Sequence, residues 1–256
     1  MREMRRLNAW LNGQDLRSLD PRILIREINE GAPEVETEYG AHAGWPGQYL
    51  LGDERRNRRI TITFAVRELY DTAERARVID AVNAWAQDGY LMVSYRPQRR
   101  IWVHRVAPAA PDTIRDYTAV YSVAFDAAAS PYWEDVTTTS WTATGSSASG
   151  TLSALGNRPI RVTASVVPSG PLNTCTITVG STSMSFTGLS VASGKTLAIA
   201  YDEQGILSIS ADGAGKLACR SAASSDDLIA LPGDTAVSFT AGVSCAVTLE
   251  ARALWQ

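Results

Sequence analysis

The fold is decided by the stretch between Arg59 and Gly89, which opens with the run RITITFAVR at Arg59–Arg67. Apolar residues occupy every second position of this run, and smaller or polar residues lie between them. A period of two is typical of a half-buried β-strand, so the run predicts one. The apolar positions are Ile60, Ile62, Phe64 and Val66.

An amphipathic helix is predicted directly after this strand. Asp71 precedes the helical run, and Glu74 follows it at the spacing of a capping box. Apolar residues then recur every three or four positions and form one stripe, which consists of Val78, Val82 and Trp85. Gly89 is a natural stop signal for the helix. No other run predicts a long helix, so we expect a mainly β protein with a single α-helix.

The charge distribution predicts two domains. Residues 1–133 hold 18 Arg and 18 Asp or Glu, whereas residues 134–256 hold 6 basic and 9 acidic residues and are rich in Ser, Thr, Ala and Gly. We therefore predict a β-rich domain with one α-helix at 1–133 and a β-sandwich domain at 134–256. In the second domain, short apolar runs separated by turn residues every 8–12 positions favour the sandwich.

Several connecting segments are predicted from turn-forming residues. Asn12-Gly13 predicts a tight β-hairpin turn. Residues 40–57 are irregular and predict a long loop or an extended arm. Pro108 to Pro111 predicts a link between strands, and the Ser- and Gly-rich segment at 145–150 predicts a flexible turn or linker tip.

Composition argues against several classes of protein. The net charge of −3 gives no general attraction to nucleic acid or to an anionic membrane. No apolar run approaches the roughly 18–20 residues of a membrane span, and the charged segment at 1–6 lacks the apolar core of a signal peptide. Cys175, Cys219 and Cys245 lie among small or apolar residues, which favours buried reduced thiols over disulfides or a zinc site.

The sequence predicts no enzyme, no cofactor and no metal site. Its two histidines, His42 and His104, have no second ligand at metal-binding spacing and no partners for a catalytic triad. Ser193-Gly194-Lys195-Thr196 resembles the end of a phosphate-binding loop, but the required earlier glycine is displaced by one position and a β-like run follows it. We interpret that segment as a hairpin turn.

A protein–protein interface is the binding site that the sequence favours most. Arginine together with Trp and Tyr is the composition that interfaces prefer. The irregular segment at 40–57 and the residues that follow it contain that combination. The candidate interface residues are Trp45, Tyr49, Arg55, Arg56 and Arg58. Two alternatives for the arginines remain open at this point: a solvated loop and a contact with nucleic acid.

Large apolar residues on the predicted strands and helix are the candidate core. They lie on the inward face of the strand or helix to which each belongs. The structural core residues are Phe64, Val82, Trp85, Trp133 and Trp255.

Taken in order, these features resemble the distal tail proteins of siphovirus-type bacteriophages and of related prophage or tailocin baseplates. The resemblance spans nearly the whole chain and depends on packing and turn motifs. The segments that carry it are 10–13, 59–64, 82–85, 125–133, 156–160, 231–234 and the final strand to Trp255. Asp234 departs from the family pattern, where Asn is more common, although either residue suits the turn.

The resemblance implies a structural protein of the tail tip. It implies that the first domain forms a homo-hexameric ring and that the second domain is a galectin-like β-sandwich. The implied partners are the tail tube protein, the tape-measure protein, the tail-tip hub or lysin protein, and receptor-binding or side-fibre proteins. The expected location is the virion tail tip after synthesis in the host cytoplasm. The expected contacts also include a weak one with glycan, but no membrane and no specific nucleic acid. The alternative function is a carbohydrate-binding host-adhesion module that uses the second domain.

Overall fold

The computed structural model describes residues 7–41, 46, 48–67, 71–115 and 118–256. The chain divides into two compact units, Met1–Tyr132 and Trp133–Gln256. Most of the regular structure in both units is β-strand, and the described residues contain one α-helix. The prediction of a mainly β protein with a single helix is therefore confirmed.

Nine strands and the helix make up the first unit, with a short 3-10 turn at Leu16–Ser18. The elements are β1 (Ala9–Leu11), β2 (Gln14–Asp15), β3 (Ile23–Glu30), β4 (Val35–Ala41), β5 (Gln48–Arg55), β6 (Arg58–Arg67), α1 (Thr72–Trp85), β7 (Gly89–Val93), β8 (Arg99–Arg115) and β9 (Thr118–Ala127). Seven of the strands form one sheet in the order β2-β1-β7-β8-β9-β6-β3, and β4 and β5 pair only with each other.

Strand β6 is the run that the alternation predicted, and it lies between β3 and β9. Ile60 lies opposite Phe125 and Phe64 opposite Tyr121, so apolar side chains from neighbouring strands share one face. The Phe64 and Tyr121 rings stack with centroids 5.6 Å apart. Because Ile60, Phe64 and Phe125 are completely buried, this face is the core of the first unit.

The helix begins where the sequence predicts. The Asp71 side chain accepts a hydrogen bond from the Ala73 backbone N–H at 2.9 Å, which satisfies one free donor of the first turn. Glu74 does not complete a capping box; its carboxylate accepts a hydrogen bond from Arg22 Nη1 at 2.8 Å. Trp85 ends the helix on the core side, with its ring edge-on to Phe125 at 6.2 Å.

Gly89 is not the helix stop that its position suggests. The helix ends at Trp85, and Gly89 is the first residue of β7. The Asn12 side chain fills the space beside it: Asn12 Nδ2 donates to the Asp88 carbonyl at 3.1 Å, and Asn12 Oδ1 accepts from the Tyr90 N–H at 3.0 Å. A Cβ at position 89 would lie 2.1 Å from Asn12 Oδ1, so a glycine is needed for packing.

The predicted Asn12-Gly13 turn is confirmed. Asn12 and Gly13 have φ angles of 50° and 80°, as a tight hairpin turn requires. The flanking strands pair antiparallel, with Leu11 opposite Gln14.

Twelve strands and a 3-10 turn at Leu217–Cys219 make up the second unit. The strands are β10 (Trp133–Asp135), β11 (Thr139–Ala154), β12 (Ile160–Arg161), β13 (Thr163–Pro168), β14 (Cys175–Val179), β15 (Thr182–Phe186), β16 (Leu197–Tyr201), β17 (Leu207–Ala211), β18 (Ala214–Gly215), β19 (Ile229–Ala230), β20 (Gly233–Ala251) and β21 (Leu254–Trp255). Eight of them form one sheet, and β10 with β21 and β12 with β19 form small ribbons.

The long strand β20 organises this sheet. On one side its first half pairs with β14 and its second half with β13. On the other side β11 pairs with both halves, with a register shift between Gly145 and Ser147. Apolar residues from both halves belong to one hydrophobic cluster, among them Phe239, Val247 and Leu249.

Two segments predicted as connections lie inside strands. The segment 145–150, predicted to be a flexible tip, is in the middle of β11. Backbone pairing to β20 outweighs the low strand propensity of its Ser and Gly residues. Pro108 to Pro111 lies inside β8, where three register shifts against β9 accommodate residues that cannot continue a regular ladder.

Four of the five predicted core side chains are buried: Phe64, Val82, Trp85 and Trp133. Trp255 differs, since it is only half-buried in β21 opposite Trp133, and its Nε1 donates a hydrogen bond to Asp135 Oδ1 at 2.8 Å. A short terminal ribbon covers less of a side chain than a sheet interior does, so the terminal Trp keeps one exposed face.

The three cysteines are free. Cys175 and Cys245 are buried, whereas Cys219 is half-exposed with Sγ 3.4 Å from the Gly188 carbonyl oxygen. Burial raises the pKa of the Cys175 thiol to about 12. In the described part of the chain, no helix is both long and apolar enough to span a bilayer.

Candidate protein–protein interface

A two-stranded ribbon is formed by β4 and β5. Val35 to Tyr39 in β4 carries a weak strand pattern, and β5 lies in the segment 40–57 that the sequence predicts to be a loop or an extended arm. We call residues 35–55 the arm. Its backbone is a regular antiparallel ladder from Val35 opposite Arg55 to Ala41 opposite Gln48, with one bulge at the step from Glu38 to Tyr39. An extended arm is thus present, but its two sides are strands and not an irregular loop.

The base of the arm is fixed to the first unit by backbone hydrogen bonds. The Glu34 N–H donates to the Asn57 carbonyl at 3.2 Å, and the Arg56 N–H donates to the Glu34 carbonyl at 2.8 Å. One step further in, the Gly31 N–H donates to the Arg59 carbonyl at 2.8 Å. The direction in which the arm leaves β3 and β6 is therefore set by the backbone.

One face of the arm carries exposed apolar side chains, with Arg55 beside Val35 at its base. Val35 and Tyr39 lie on the same face of β4, because the bulge on β5 leaves the alternation of β4 intact, and Leu50 lies opposite Tyr39. Tyr39 is 58% exposed and Leu50 60% exposed. Leu51, the extra residue at the bulge, is exposed as well. Exposed apolar side chains in a contiguous group mark interaction surfaces.

The other face of the arm is acidic. Glu36 and Glu38 point away from the apolar face, because side chains alternate along a strand. Glu36 forms an ion pair with Arg56. The arm therefore presents two chemically different sides to its surroundings.

The candidate interface residues are distributed differently from the prediction. Trp45 lies outside the described residues. Tyr49 belongs to β5, opposite Gly40, and Arg55 lies opposite Val35 at the base of the arm. Arg56 is exposed and paired with Glu36. Tyr49 and Arg55 therefore lie in one ribbon, and Arg56 directly follows it.

Arg58 is buried, in contrast to its prediction as an interface residue. It is the first residue of β6 and is only 4% exposed, so it cannot be a surface contact of the folded unit. Its Nη1 lies 3.7 Å from Glu30 Oε2. Burial lowers the pKa of the Arg58 guanidinium, and the nearby Glu30 carboxylate opposes that shift.

Glu30 gathers several polar groups beneath the arm. Its carboxylate accepts hydrogen bonds from the Tyr95 hydroxyl and, at 3.3 Å, from Arg96 Nε. Burial and then the bond to Glu30 raise the pKa of Tyr95. Because Glu30 ends β3 and Tyr95 and Arg96 follow β7, this cluster joins three parts of the first unit next to the base of the arm. Sequence reasoning missed Glu30 and Arg96, since their partners are about 65 residues away.

His104 has no catalytic arrangement among the described residues. His42 lies outside the described residues. His104 Nδ1 lies 2.6 Å from Asp88 Oδ2, and both side chains are exposed. Within the described ranges, no group of three or more His, Cys, Asp or Glu side chains is close enough together to hold a metal ion. The exposed apolar side chains of the arm are suited to contact with another protein.

Solved structures of phage proteins have a similar fold. The Dit (gp 19.1) protein of phage SPP1, described as a paradigm of the hub adsorption apparatus of phages that infect Gram-positive bacteria, matches 96% of this chain and 98% of its own, with a TM-score of 0.71 and 14% identity. The chain has the fold of a phage hub protein. Because the match covers 96% of the chain, it runs through both units.

Two further matches agree with this fold. They are chains of the phage P2 baseplate in its activated conformation with Ca and with Sr, with TM-scores of 0.53 and 0.52 and 7% identity in both cases. Each match covers 96–97% of this chain and 97% of the other. No protein-family model matches the sequence, and no curated protein matches it. The likeness is therefore in the fold and not in the sequence.

Proposed function

We propose that this chain is a structural protein of the tail tip of a phage, prophage or tailocin, and that its first unit forms a homo-hexameric ring. The single observation that carries the proposal is the arm, a ribbon with exposed apolar side chains on one face, in a chain whose fold matches a phage hub protein over 96% of its length. An apolar ribbon of this kind loses stability in water unless another surface covers it.

A ring needs a heterologous interface in which one surface of a protomer meets a different surface of the next. The arm supplies the first surface, with Tyr39 and Leu50 at its centre. The body of the neighbouring first unit supplies the second. Six such contacts closing on themselves would bind far more tightly than one contact alone, because each closed ring holds every protomer twice.

The proposed role determines the proposed partners. The ring would connect the tail tube and tape-measure proteins on one side with the tail-tip hub or lysin protein on the other. The second unit would anchor receptor-binding or side-fibre proteins. The whole assembly would belong to the virion tail tip, and its protein would be made in the host cytoplasm. The fold likeness to hub and baseplate proteins supports this arrangement.

The carbohydrate-binding alternative has less support. Sugar sites usually present exposed aromatic faces. In the second unit Phe186 and Phe239 are completely or almost completely buried. Tyr201 is half-buried, its hydroxyl accepts a hydrogen bond from the Leu228 N–H at 3.2 Å, and the Arg161 guanidinium lies 5.4 Å from its ring centre. Between residues 151 and 254 these three side chains give a sugar no aromatic platform, so we favour the structural role.

A single charged substitution in the arm tests whether the arm forms the ring interface. We expect the purified full chain to form hexamers, alone or together with the tail proteins named above, as seen by native mass spectrometry and electron microscopy. Leu50→Asp should leave the circular dichroism spectrum and the melting temperature unchanged, because Leu50 is exposed in the monomer. The same variant should abolish the hexamer, because the carboxylate would be buried without a partner in the ring.

Leu155→Asp is the matched control, since Leu155 is an equally exposed leucine outside the arm. Hexamers should persist in that variant. A wild-type chain that stays monomeric even with its tail partners would contradict the ring. A ring that survives Leu50→Asp would show that the arm is not its interface.

A further inference from the structure

Strand β11 is an edge strand along all of its length. It pairs with β20 through both halves, and in the described structure no strand pairs with its other side. None of the backbone hydrogen bonds outside the strands involves residues 139–154. Every second residue of an antiparallel edge strand points its N–H and C=O outward, so about half of the 16 residues of β11 present free backbone groups.

The edge at β15, at the end of the same sheet, is closed by the chain itself. The Ser183 N–H donates to Ser225 Oγ at 3.0 Å, and the Ser185 N–H donates to Ser224 Oγ at 2.9 Å. The backbone of residues 221–225 adds further bonds to Ser183 and Ser185. The fold therefore protects one edge and leaves the longer one open.

Nothing in the sequence of β11 prevents another strand from pairing with it. Natural edge strands carry Lys, Pro or inward-pointing charges that block such pairing. Thr139–Ala154 contains no charged residue and no proline. Its outer face is made of hydroxyl side chains only: Ser140, Thr142, Thr144, Ser147, Ser149, Thr151 and Ser153.

Trp141 gives this edge an anchoring point. Its register opposite Leu249 places it on the core face of β11, where it is partly buried against the hydrophobic cluster. Its ring lies over Gly150 of the same strand, because a Cβ at Gly150 would be 2.2 Å from Trp141 Nε1. The indole N–H has no hydrogen-bond partner among the described residues, which leaves a donor and an aromatic surface at the open edge.

We propose that the free edge of β11 is a strand-addition site, which binds an extended, uncharged segment of a partner protein. Only an extended backbone matches alternating N–H and C=O groups along such a length. The small hydroxyl side chains on the outer face leave room beside the added strand. An apolar side chain of that strand would cover Trp141 on the other face. The proposal concerns the second unit alone and does not depend on the ring.

The test uses the full chain and a defined probe. The probe is a synthetic peptide of about twelve residues in which Thr and Val alternate, with a lysine pair at one end for solubility. Amide hydrogen exchange is followed by mass spectrometry with and without the peptide. When the peptide is at ten times its Kd, we expect amides in 139–154 to exchange about tenfold more slowly, and other strands to be unchanged.

Two controls separate strand addition from general binding. A peptide of the same composition with proline at every third position cannot form a strand and should give no protection. The double variant Thr142→Lys/Ser149→Lys should lose the protection, because charges on the edge oppose strand pairing. Ser208→Lys, on the exposed outer face of β17, should keep it.

Absence of protection at a saturating peptide concentration would overturn the proposal. So would protection that survives the double lysine variant. A wild-type assembly with twice the mass of the double-variant assembly, both without peptide, would also overturn it, because the edge would then bind a second copy of this chain. The hydrogen-exchange readouts concern β11 only, so they are independent of whether the arm forms a ring.

Discussion

At the scale of single residues, position 150 requires a glycine because a neighbouring side chain occupies the place of a Cβ. Its backbone is an ordinary strand, but the Trp141 ring occupies the place of a side chain. Gly150→Ala should reduce the stability of the second unit by about 1–3 kcal/mol, because the ring must leave its packed position. Urea unfolding followed by tryptophan fluorescence and circular dichroism measures the change.

Two further variants test the cause of that loss. Gly215→Ala meets no atom within 4 Å and should change stability by less than about 0.5 kcal/mol. In a Trp141→Ala background, the added cost of Gly150→Ala should disappear, because the clash is then gone. An unchanged cost in that background would mean that the backbone, and not Trp141, excludes the methyl group.

The buried thiol of Cys175 predicts a pH dependence of stability. Burial raises its pKa from an ordinary value of 9.0 to about 12 in the folded chain. The folded state therefore keeps a proton that the unfolded state releases, so this stability is complete below pH 9 and is lost as the pH rises toward 12. Between pH 8 and pH 10, the free energy of unfolding should fall by roughly 1 kcal/mol because of this group.

Urea unfolding at the two pH values, under reducing conditions, measures this fall. Cys175→Ala lacks the thiol and should show a smaller fall over the same interval. Burial also raises the pKa values of Cys245 and Tyr201, so a smaller residual fall is expected in the variant. An equal fall in both proteins would assign the effect to those other groups.

At the scale of elements, Trp85, the last residue of helix α1, fixes the end of the helix to the core of the first unit. Trp85 is buried, contacts Phe125 edge-on, and donates from Nε1 to the Gln14 carbonyl at 2.9 Å. Trp85→Ala should destabilise the first unit by about 3–5 kcal/mol, through lost contacts and a cavity. Assembly should be lost with it, because the arm extends from the same unit. Thermal unfolding combined with native mass spectrometry measures both effects.

Trp85→Phe is the graded companion variant. It keeps an aromatic ring and removes the hydrogen bond to Gln14, so its effect should be clearly smaller than that of Trp85→Ala. If Trp85→Ala stays fully folded but fails to assemble, the helix is an interface and not part of the core.

Elements with a buried face were predictable, and elements without one were not. The strand at β6 and the helix α1 carry apolar residues at the period of their structure, and the fold follows that pattern. Strand β5 of the arm lacks a clean alternation in its sequence, although its backbone pairs regularly with β4. Strand β11 is rich in Ser and Gly and forms only because β20 pairs along it.

At the scale of the whole molecule, each unit has its own core, which predicts independent folding. A fragment of residues 133–256 should fold alone, because its hydrophobic cluster contains residues of the second unit only. Its circular dichroism should show β-structure and its urea unfolding should be cooperative. In the full chain, Trp85→Ala should lower one unfolding transition, and Gly150→Ala the other.

A single transition that both variants shift equally would contradict independent folding. The domain assignment at 1–133 and 134–256 would then describe the composition of the chain but not its folding units. A fragment that aggregates or stays unfolded would lead to the same conclusion.

The sequence by itself determined the β-rich class, the one helix and the Asn12-Gly13 turn, since these depend on residues close together in the chain. The tertiary structure decided that Arg58 is buried beside Glu30, that Gly89 makes room for Asn12, and that Gly150 makes room for Trp141. It also decided that the arm is a ribbon and that β11 has an open edge. Local patterns record which face of an element is buried, whereas the partner of a polar group or of a strand edge is set by residues far away in the chain.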